Sequence, residues 1–115
     1  MRALDPKTAL LALYHLTNGP MWVNNSGWSQ ADNKSECDWY GITCDGNQTI
    51  VKINLDWNNL NGSLPTSFFH LTTVTELDLG ANNLTGSIPE EISQMAELRK
   101  LDLDQNKLTG QHKYA

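Results

Sequence analysis

Basic side chains are scarce in this sequence, and several features that mark common protein classes are missing. Eight lysines and arginines stand against 13 aspartates and glutamates, which gives a net charge of −5. Because nucleic-acid-binding surfaces need clustered positive charge, we expect no nucleic-acid partner. No run of about 18 apolar residues occurs, so no membrane span is predicted. The first residues lead into Asp5-Pro6 rather than into an apolar segment, and we therefore expect no leader peptide within this sequence.

Catalytic and metal-binding signatures are also lacking. The sequence contains no phosphate-binding glycine loop and no recognisable set of a nucleophile, a base and an orienting acid. Its three histidines, His15, His70 and His112, are spread over the chain and do not group with cysteines in a zinc-like pattern. We therefore expect no catalytic residues, no enzyme activity, no cofactor and no metal site.

The dominant feature that is present is a repeat of 24 residues. Segments 50–73, 74–97 and 98–110 share one order of apolar residues, asparagine and glycine, and the third segment is shortened. Repeats of this length predict a solenoid, in which each unit buries its apolar face against its neighbours. The aligned positions are Ile50/Val74/Leu98, Ile53/Leu77/Leu101, Leu55/Leu79/Leu103, Asn58/Asn82/Asn106, Leu60/Leu84/Leu108 and Gly62/Gly86/Gly110.

Each repeat predicts a short strand followed by a helical turn. Leu77 and Leu79 are two positions apart, so they point to one face of an extended strand while their neighbours point to the other. Stacked copies of this strand would form a parallel sheet with an apolar inner face. Prolines at the matching positions predict helical turns over 65–71 and 89–95, because proline begins a helical turn well.

The repeat pattern resembles the plant-type leucine-rich repeat family. The resemblance rests on three in-phase copies of L-x-x-L-x-L-x-x-N-x-L-x-G, two of which continue into Pro65 and Pro89, and it covers residues 50–110. It implies an α/β solenoid, a right-handed superhelix with a short parallel sheet on its concave face. The five residues 111–115 are expected to be a tail.

An asparagine follows each predicted strand, at Asn58, Asn82 and Asn106. Such an asparagine can be an ordinary turn residue. The resemblance implies instead a buried ladder, in which each side chain hydrogen-bonds the backbone of adjacent turns. Three copies in phase favour the ladder.

Residues 1–49 precede the repeats and are expected to form an N-terminal helical cap. Asp5-Pro6 predicts a helix start, apolar residues recur at helical spacing, and Asn18-Gly19-Pro20 ends the pattern, so we expect a helix over 6–17. The order of helix, tryptophans and C-x-W-x-G-I-x-C at 37–44 resembles the capping region of the same family. Its tryptophans are expected to cover the open edge of the first repeat.

Cys37 and Cys44 are the two cysteines of the chain. Both stand where the family has them, which favours a disulfide, and a disulfide would place the chain in an oxidising compartment. Two free thiols, or half of a metal site, are the alternatives.

The residues between the apolar strand positions are expected to face the concave side and to form any ligand-binding surface. Lysine, glutamate and lysine alternate along one row of this surface, and four aspartates form an acidic stripe. Trp57 is the large apolar residue expected on this face, and a partly exposed tryptophan is a plausible binding hot spot. The candidate residues are Lys52, Asn54, Asp56, Trp57, Glu76, Asp78, Lys100, Asp102, Asp104 and Gln105.

This acidic stripe allows three interpretations. It can be a solvated polar face, a binding surface for a basic or hydroxyl-rich partner, or a calcium site, since hard cations take oxygen ligands. No loop of the EF-hand type accompanies it.

Sequons for N-glycosylation occur at Asn24, Asn33, Asn47, Asn61 and Asn83. Five is more than we expect of a cytosolic protein of this length, although chance contributes in a chain rich in Asn, Ser and Thr. With the cysteines, they indicate an extracellular or cell-surface location.

Three functional hypotheses follow. The resemblance implies a non-catalytic, receptor-like recognition module that binds a protein, peptide or glycan through its concave face. A second hypothesis is a purely structural cap with first repeats, the ligand being bound elsewhere, and an enzyme is the third and least supported. We also expect self-association through the last strand, around 100–103, whose edge is unpaired and whose Leu101, Leu103 and Leu108 would be bare.

Overall fold

A computed structural model describes residues 5–29 and 34–109. The single α-helix of this part, α1, spans Pro6–Leu16, one residue shorter than expected. It begins where predicted, because the Asp5 side chain accepts a hydrogen bond of 2.8 Å from the Thr8 amide and proline occupies the first turn. After the helix the backbone of Asn18 is left-handed, with φ of 57°, and this ends the helical run.

The strands predicted from the repeats form the larger of two sheets. Strands β2 (Ile50–Asn54), β4 (Glu76–Asp78) and β6 (Lys100–Asp102) are parallel and pair in order, so Ile53, Leu77 and Leu101 are in register. A further strand, β1 (Ile42–Cys44), pairs antiparallel with β2 and completes a four-stranded sheet. We did not predict β1 from the sequence.

A second sheet, also not predicted, lies later in each repeat. It consists of β3 (Asn61–Ser63), β5 (Asn83–Gly86) and β7 (Lys107–Leu108), which are all parallel. Each repeat therefore contributes one strand to each sheet, and consecutive repeats are hydrogen-bonded twice.

Short 3-10 helices follow the second sheet at Thr66–His70 and Glu90–Gln94, inside the predicted 65–71 and 89–95. The preceding prolines lie just outside the helices in extended conformation. Two further 3-10 helices, Gly19–Met21 and Glu36–Asp38, lie before the first repeat strand.

The buried apolar residues form one continuous core from α1 to the third repeat. Trp22, Trp28 and Trp39 are 5%, 0% and 1% exposed and lie before the first repeat, with neighbouring rings 4.8–5.1 Å apart. Leu103 is also buried, so the expectation that it would be bare was wrong, whereas Leu101 and Leu108 are half-buried.

Asn58, Asn82 and Asn106 form a hydrogen-bonded ladder between repeats. The Asn82 side chain is buried, and its Oδ1 accepts hydrogen bonds of 3.0 Å from the amides of Asn58 and Leu60 in the preceding repeat. Asn106 Oδ1 accepts in the same way from Leu84. The Asn82 amide nitrogen donates to the carbonyls of Leu55, Leu79 and Gly80.

Asn58 has no preceding repeat, and the loop around Asn24 takes that place. Asn58 Oδ1 accepts from the Asn24 amide at 2.8 Å, and Asn58 Nδ2 donates to the Asn24 carbonyl at 3.0 Å. The ladder therefore continues into the segment before the repeats through backbone groups of that segment.

Candidate functional site

The outward face of the four-stranded sheet brings the candidate residues together in rows that run across the strands. Lys52, Glu76 and Lys100 are paired in register. Glu76 lies between the two lysines, with Lys52 Nζ at 2.9 Å and Lys100 Nζ at 3.5 Å from its carboxylate oxygens. The hydrogen bond from Lys52 lowers the pKa of Glu76 below its usual value. Both lysines of this face are therefore directed at one carboxylate.

The next row, Asn54, Asp78 and Asp102, has a local role that the sequence analysis missed. In each repeat the side-chain Oδ1 accepts a hydrogen bond from the amide two residues later, at 3.2, 3.0 and 2.9 Å respectively. This is the Asx-turn pattern, which shapes the chain as it leaves the strand. The signal was visible, because Asn and Asp alone occupy this position in all three repeats.

Asp78 lies in the middle of this row, and its surroundings disfavour the charged carboxylate. Burial raises the pKa of Asp78 above its usual value, the hydrogen bond from Gly80 opposes that rise, and the nearby charges of Asp56 and Asp102 add to it. No salt bridge reaches Asp56, Asp78, Asp102 or Asp104 within residues 5–29 and 34–109. The four aspartates therefore form a region of uncompensated negative charge.

Trp57, Ala81 and Gln105 occupy the same position in successive repeats, just beyond the aspartates. All three have left-handed backbones, with φ of 54°, 54° and 60°. Trp57 is 72% exposed, as expected for a residue on this face. Two shallow grooves lie on either side of these three residues, and all three residues line both grooves.

The two grooves differ in charge. The first encloses about 410 Å³, and its remaining lining residues, Val23, Asn59, Asn82 and Asn83, are uncharged. The second encloses about 130 Å³, and its remaining lining residues are Asp56, Asp78, Gly80, Asp102 and Asp104. The other four candidate residues, Lys52, Asn54, Glu76 and Lys100, line a third groove of about 760 Å³, which shares Asp78 and Asp102 with the second.

Within the described ranges, no group of three or more His, Cys, Asp or Glu residues is arranged to hold a metal ion. No helix in the same ranges has the length and apolar character needed to cross a membrane. Cys37 and Cys44 form a disulfide, as predicted, with their Cα atoms 5.6 Å apart.

Four of the five sequons lie in the described part, and Asn33 lies outside it. Asn47 and Asn61 are exposed. Asn24 accepts hydrogen bonds from the amide and hydroxyl of Ser26, and Asn83 Nδ2 donates to Asn59 Oδ1 at 3.0 Å.

Residues 48–108 match the family model of the leucine-rich repeat. The chain belongs to the leucine-rich repeat family. This confirms the resemblance, and the match begins two residues before the first repeat strand.

Plant receptor proteins are among the relatives of this leucine-rich repeat chain. The leucine-rich repeat receptor-like protein kinase PEPR1 of Arabidopsis thaliana is 32% identical over 60 residues, which are 52% of this chain and 5% of that protein. The chain therefore spans a small part of this relative.

Two solved structures from Arabidopsis thaliana share the fold. The BIR2 ectodomain has a TM-score of 0.80 at 27% identity, over 93% of this chain and 58% of that one. The receptor kinase HAESA, solved with the peptide hormone IDA and the co-receptor SERK1, has a TM-score of 0.80 at 28% identity, over 90% of this chain and 17% of that one. The chain thus has the leucine-rich repeat fold of plant receptor ectodomains.

Proposed function

We propose that this chain is a non-catalytic, extracellular recognition module that binds a protein, peptide or glycan through the outward, concave face of its four-stranded sheet. The observation that carries the proposal is Trp57, a large apolar side chain that is 72% exposed in a groove whose polar lining includes Asn59 and Gln105. Exposed aromatic residues in a polar surround are typical binding hot spots. HAESA, which has the same fold, was solved with a peptide hormone, and this supports a peptide or protein as the partner.

An extracellular location is part of the proposal. The Cys37–Cys44 disulfide is consistent with an oxidising compartment, and the similar BIR2 structure is a receptor ectodomain. The exposed sequons Asn47 and Asn61 would be available to glycosylation there.

The segment before the repeats favours a second candidate function, a structural cap that closes a right-handed solenoid. Buried Trp22, Trp28 and Trp39 lie beside the first repeat, and Asn24 completes the asparagine ladder. On this hypothesis residues 1–49 shield the apolar edge of the first repeat, and the sheet face displays no ligand site.

Binding arrays separate the two candidates. The purified chain, with an intact disulfide, is screened on random peptide and oligosaccharide arrays beside the variant Asn54→Lys/Asp102→Lys, which changes the sheet face. The matched control, Thr66→Lys/Glu90→Lys, places two lysines on the 3-10 helices. We expect saturable binding that the sheet-face variant loses and the control retains. If no saturable ligand is found, or if both variants bind equally, the structural function is favoured.

A further inference from the structure

The groove beside Trp57 is built from two distant parts of the chain. Val23 donates its amide to the Asn58 carbonyl at 3.0 Å, and Asn59 Nδ2 donates to the Met21 carbonyl at 3.1 Å. These hydrogen bonds hold residues 21–23 beside the turn that carries Trp57. The side chains of Met21, Val23 and Trp57 are 63%, 75% and 72% exposed, and Val23 and Trp57 line one groove.

Folding gives no reason for a tryptophan at position 57. Its side chain lies largely in solvent, so it contributes little to the core. Its backbone, at φ of 54°, is in the left-handed region that bulky side chains rarely adopt and that glycine or asparagine adopts at lower cost. An exposed aromatic ring held on unfavourable backbone indicates contact with something outside the chain.

Charge around the groove limits what that partner can be. Lys52 and Lys100 are engaged by Glu76, so neither neutralises the aspartates that line the adjoining groove. Asp56 and Asp104 line that groove together with Trp57. A neutral oligosaccharide would leave this charge uncompensated, and an acidic partner would be repelled, whereas a cation would be attracted to both the carboxylates and the face of the indole ring.

We propose that the groove formed by Val23, Trp57 and Ala81 docks a basic peptide segment, in which an apolar side chain lies next to an arginine or lysine. The apolar side chain packs in the uncharged groove against Val23 and Trp57. The cation lies over the other side of the indole, between Asp56 and Asp104. This inference rests on the recognition function proposed above and narrows it to one class of peptide.

The first test is a peptide selection. A random decapeptide library is selected on the wild-type chain and counter-selected on Trp57→Gly, which removes the ring and suits the left-handed backbone. Gln48→Gly is the matched control, because Gln48 has φ of 64°, is exposed and lies in the turn between β1 and β2. We expect enriched peptides to carry arginine or lysine beside an apolar residue, and to bind Gln48→Gly but not Trp57→Gly.

Tryptophan fluorescence locates the bound peptide. Because Trp22, Trp28 and Trp39 are buried, acrylamide quenching reports chiefly on Trp57. An enriched peptide should protect this emission from quenching, and protection should saturate with the same dissociation constant as binding.

A charge variant tests whether the peptide binds through a basic residue. Asp56→Asn/Asp104→Asn removes two charges from the groove that Trp57 lines, and Glu90→Gln/Glu97→Gln removes two exposed charges outside both grooves. We expect the first pair to weaken peptide binding about tenfold and to reduce its salt dependence, and the second pair to change affinity by less than about twofold.

Three results would overturn the proposal. They are enriched peptides without a basic residue, equal binding by Trp57→Gly and wild type, and protection of Trp57 by neutral oligosaccharides such as cellohexaose or chitohexaose but not by peptide. Each of these leaves a recognition module in place and removes the basic peptide. The absence of any saturable ligand would remove both.

Discussion

Asn82 shows how one side chain can join two repeats. Its carbonyl oxygen accepts two amides of the preceding repeat, and its nitrogen contacts three backbone carbonyls while the residue stays buried. All of the groups that it pairs with are backbone amides and carbonyls of two neighbouring repeats. At this scale the buried polar groups are paired, so hydrogen bonds as well as apolar contacts join the repeats.

Truncation of Asn82 should therefore be costly. Asn82→Ala is expected to lower the free energy of unfolding by about 1–3 kcal/mol, because buried amides of Asn58 and Leu60 lose their acceptor. Urea denaturation followed by far-UV circular dichroism measures the change. Asn106→Ala, at a half-buried rung, should cost less, and an equal or larger loss there would contradict this account.

Gly62 offers a second residue-scale prediction. Its φ is 138°, and a Cβ built there would lie 2.1 Å from the carbonyl oxygen of Leu16 at the end of α1. Gly62→Ala is expected to destabilise by about 2–3 kcal/mol, because the helix or β3 must shift. Thermal unfolding compares it with Gly46→Ala, where no atom lies within 4 Å and a near-neutral effect is expected. Similar effects of the two substitutions would argue against the contact.

Asp78 gives a pH-dependent prediction. Since its pKa is raised in the folded state, above a usual value of 3.8, the folded chain binds this proton more tightly than the unfolded chain. The ionised carboxylate therefore lowers the free energy of unfolding. This loss is absent at low pH and grows as pH rises through the pKa of the folded state. Asp78→Asn should raise stability at pH 7 by on the order of 0.5 kcal/mol and have little effect near pH 3.

The hydrogen bond to Gly80 should survive in Asp78→Asn, because Asn54 makes the equivalent bond in the first repeat. Denaturant unfolding at both pH values measures the difference between wild type and variant. A loss of stability at pH 7 would show that the carboxylate has a favourable partner.

At the scale of elements, the last part of the segment before the repeats is held by a strand pairing and a disulfide. Its antiparallel strand β1 pairs with β2, and the disulfide joins Cys44 of β1 to Cys37 in the 3-10 helix Glu36–Asp38. Trp39 lies between the two cysteines in sequence and is buried against Trp28. The disulfide therefore restrains the segment that carries Trp39.

Removal of the disulfide should loosen this segment. Cys37→Ser/Cys44→Ser is expected to lose about 2–3 kcal/mol of unfolding free energy, from the added freedom of the unfolded chain. Equilibrium unfolding of the wild type in reductant should reproduce the value for the variant. If reduction leaves the unfolding midpoint unchanged, the disulfide does not stabilise the fold.

Elements differed in how far the sequence predicted them. The alternation around Leu77 and Leu79 predicted β4 and its outward residues, because side chains two positions apart in an extended strand point to the same face. The strand at Asn61–Ser63 could not be predicted, since Asn and Gly are depleted in strands and its pairing is imposed by the neighbouring repeat. β1 has three residues and an antiparallel partner, which periodicity does not indicate.

The same distinction holds for the candidate site. Repeat position predicted which residues belong to the candidate site. It did not predict the left-handed backbone of Trp57 or the hydrogen bonds of Asp78 and Asp102. These depend on how the chain turns after each strand. A pattern of side chains alone leaves that geometry open.

At the scale of the whole molecule, the described repeats end in an open sheet edge. Strands β6 and β7 are each paired on one side among the described residues. A groove of about 450 Å³ beside β6 is lined mostly by apolar residues, among them Met95, Leu98 and Leu101, together with Ser93 and Arg99. Open edges with apolar flanks favour association with further strands.

We therefore expect concentration-dependent self-association of this chain through β6 and β7. Sedimentation velocity should show a mass above the monomer at high concentration, and Leu108→Lys should shift it toward the monomer by placing a charge at the edge. A strict monomer at all concentrations, with the β6 amides fully protected from hydrogen exchange, would contradict the prediction.

The constant register between repeats makes the coils interchangeable. Residues 74–97 pair with the preceding repeat in the same way as with the following repeat. This holds for the strands of both sheets and for the asparagine hydrogen bonds. A tandem duplication of that segment would therefore meet matching surfaces at both junctions. The molecule would lengthen by one strand spacing, about 4.8 Å, while the tryptophan-rich start and the last coil keep their present neighbours.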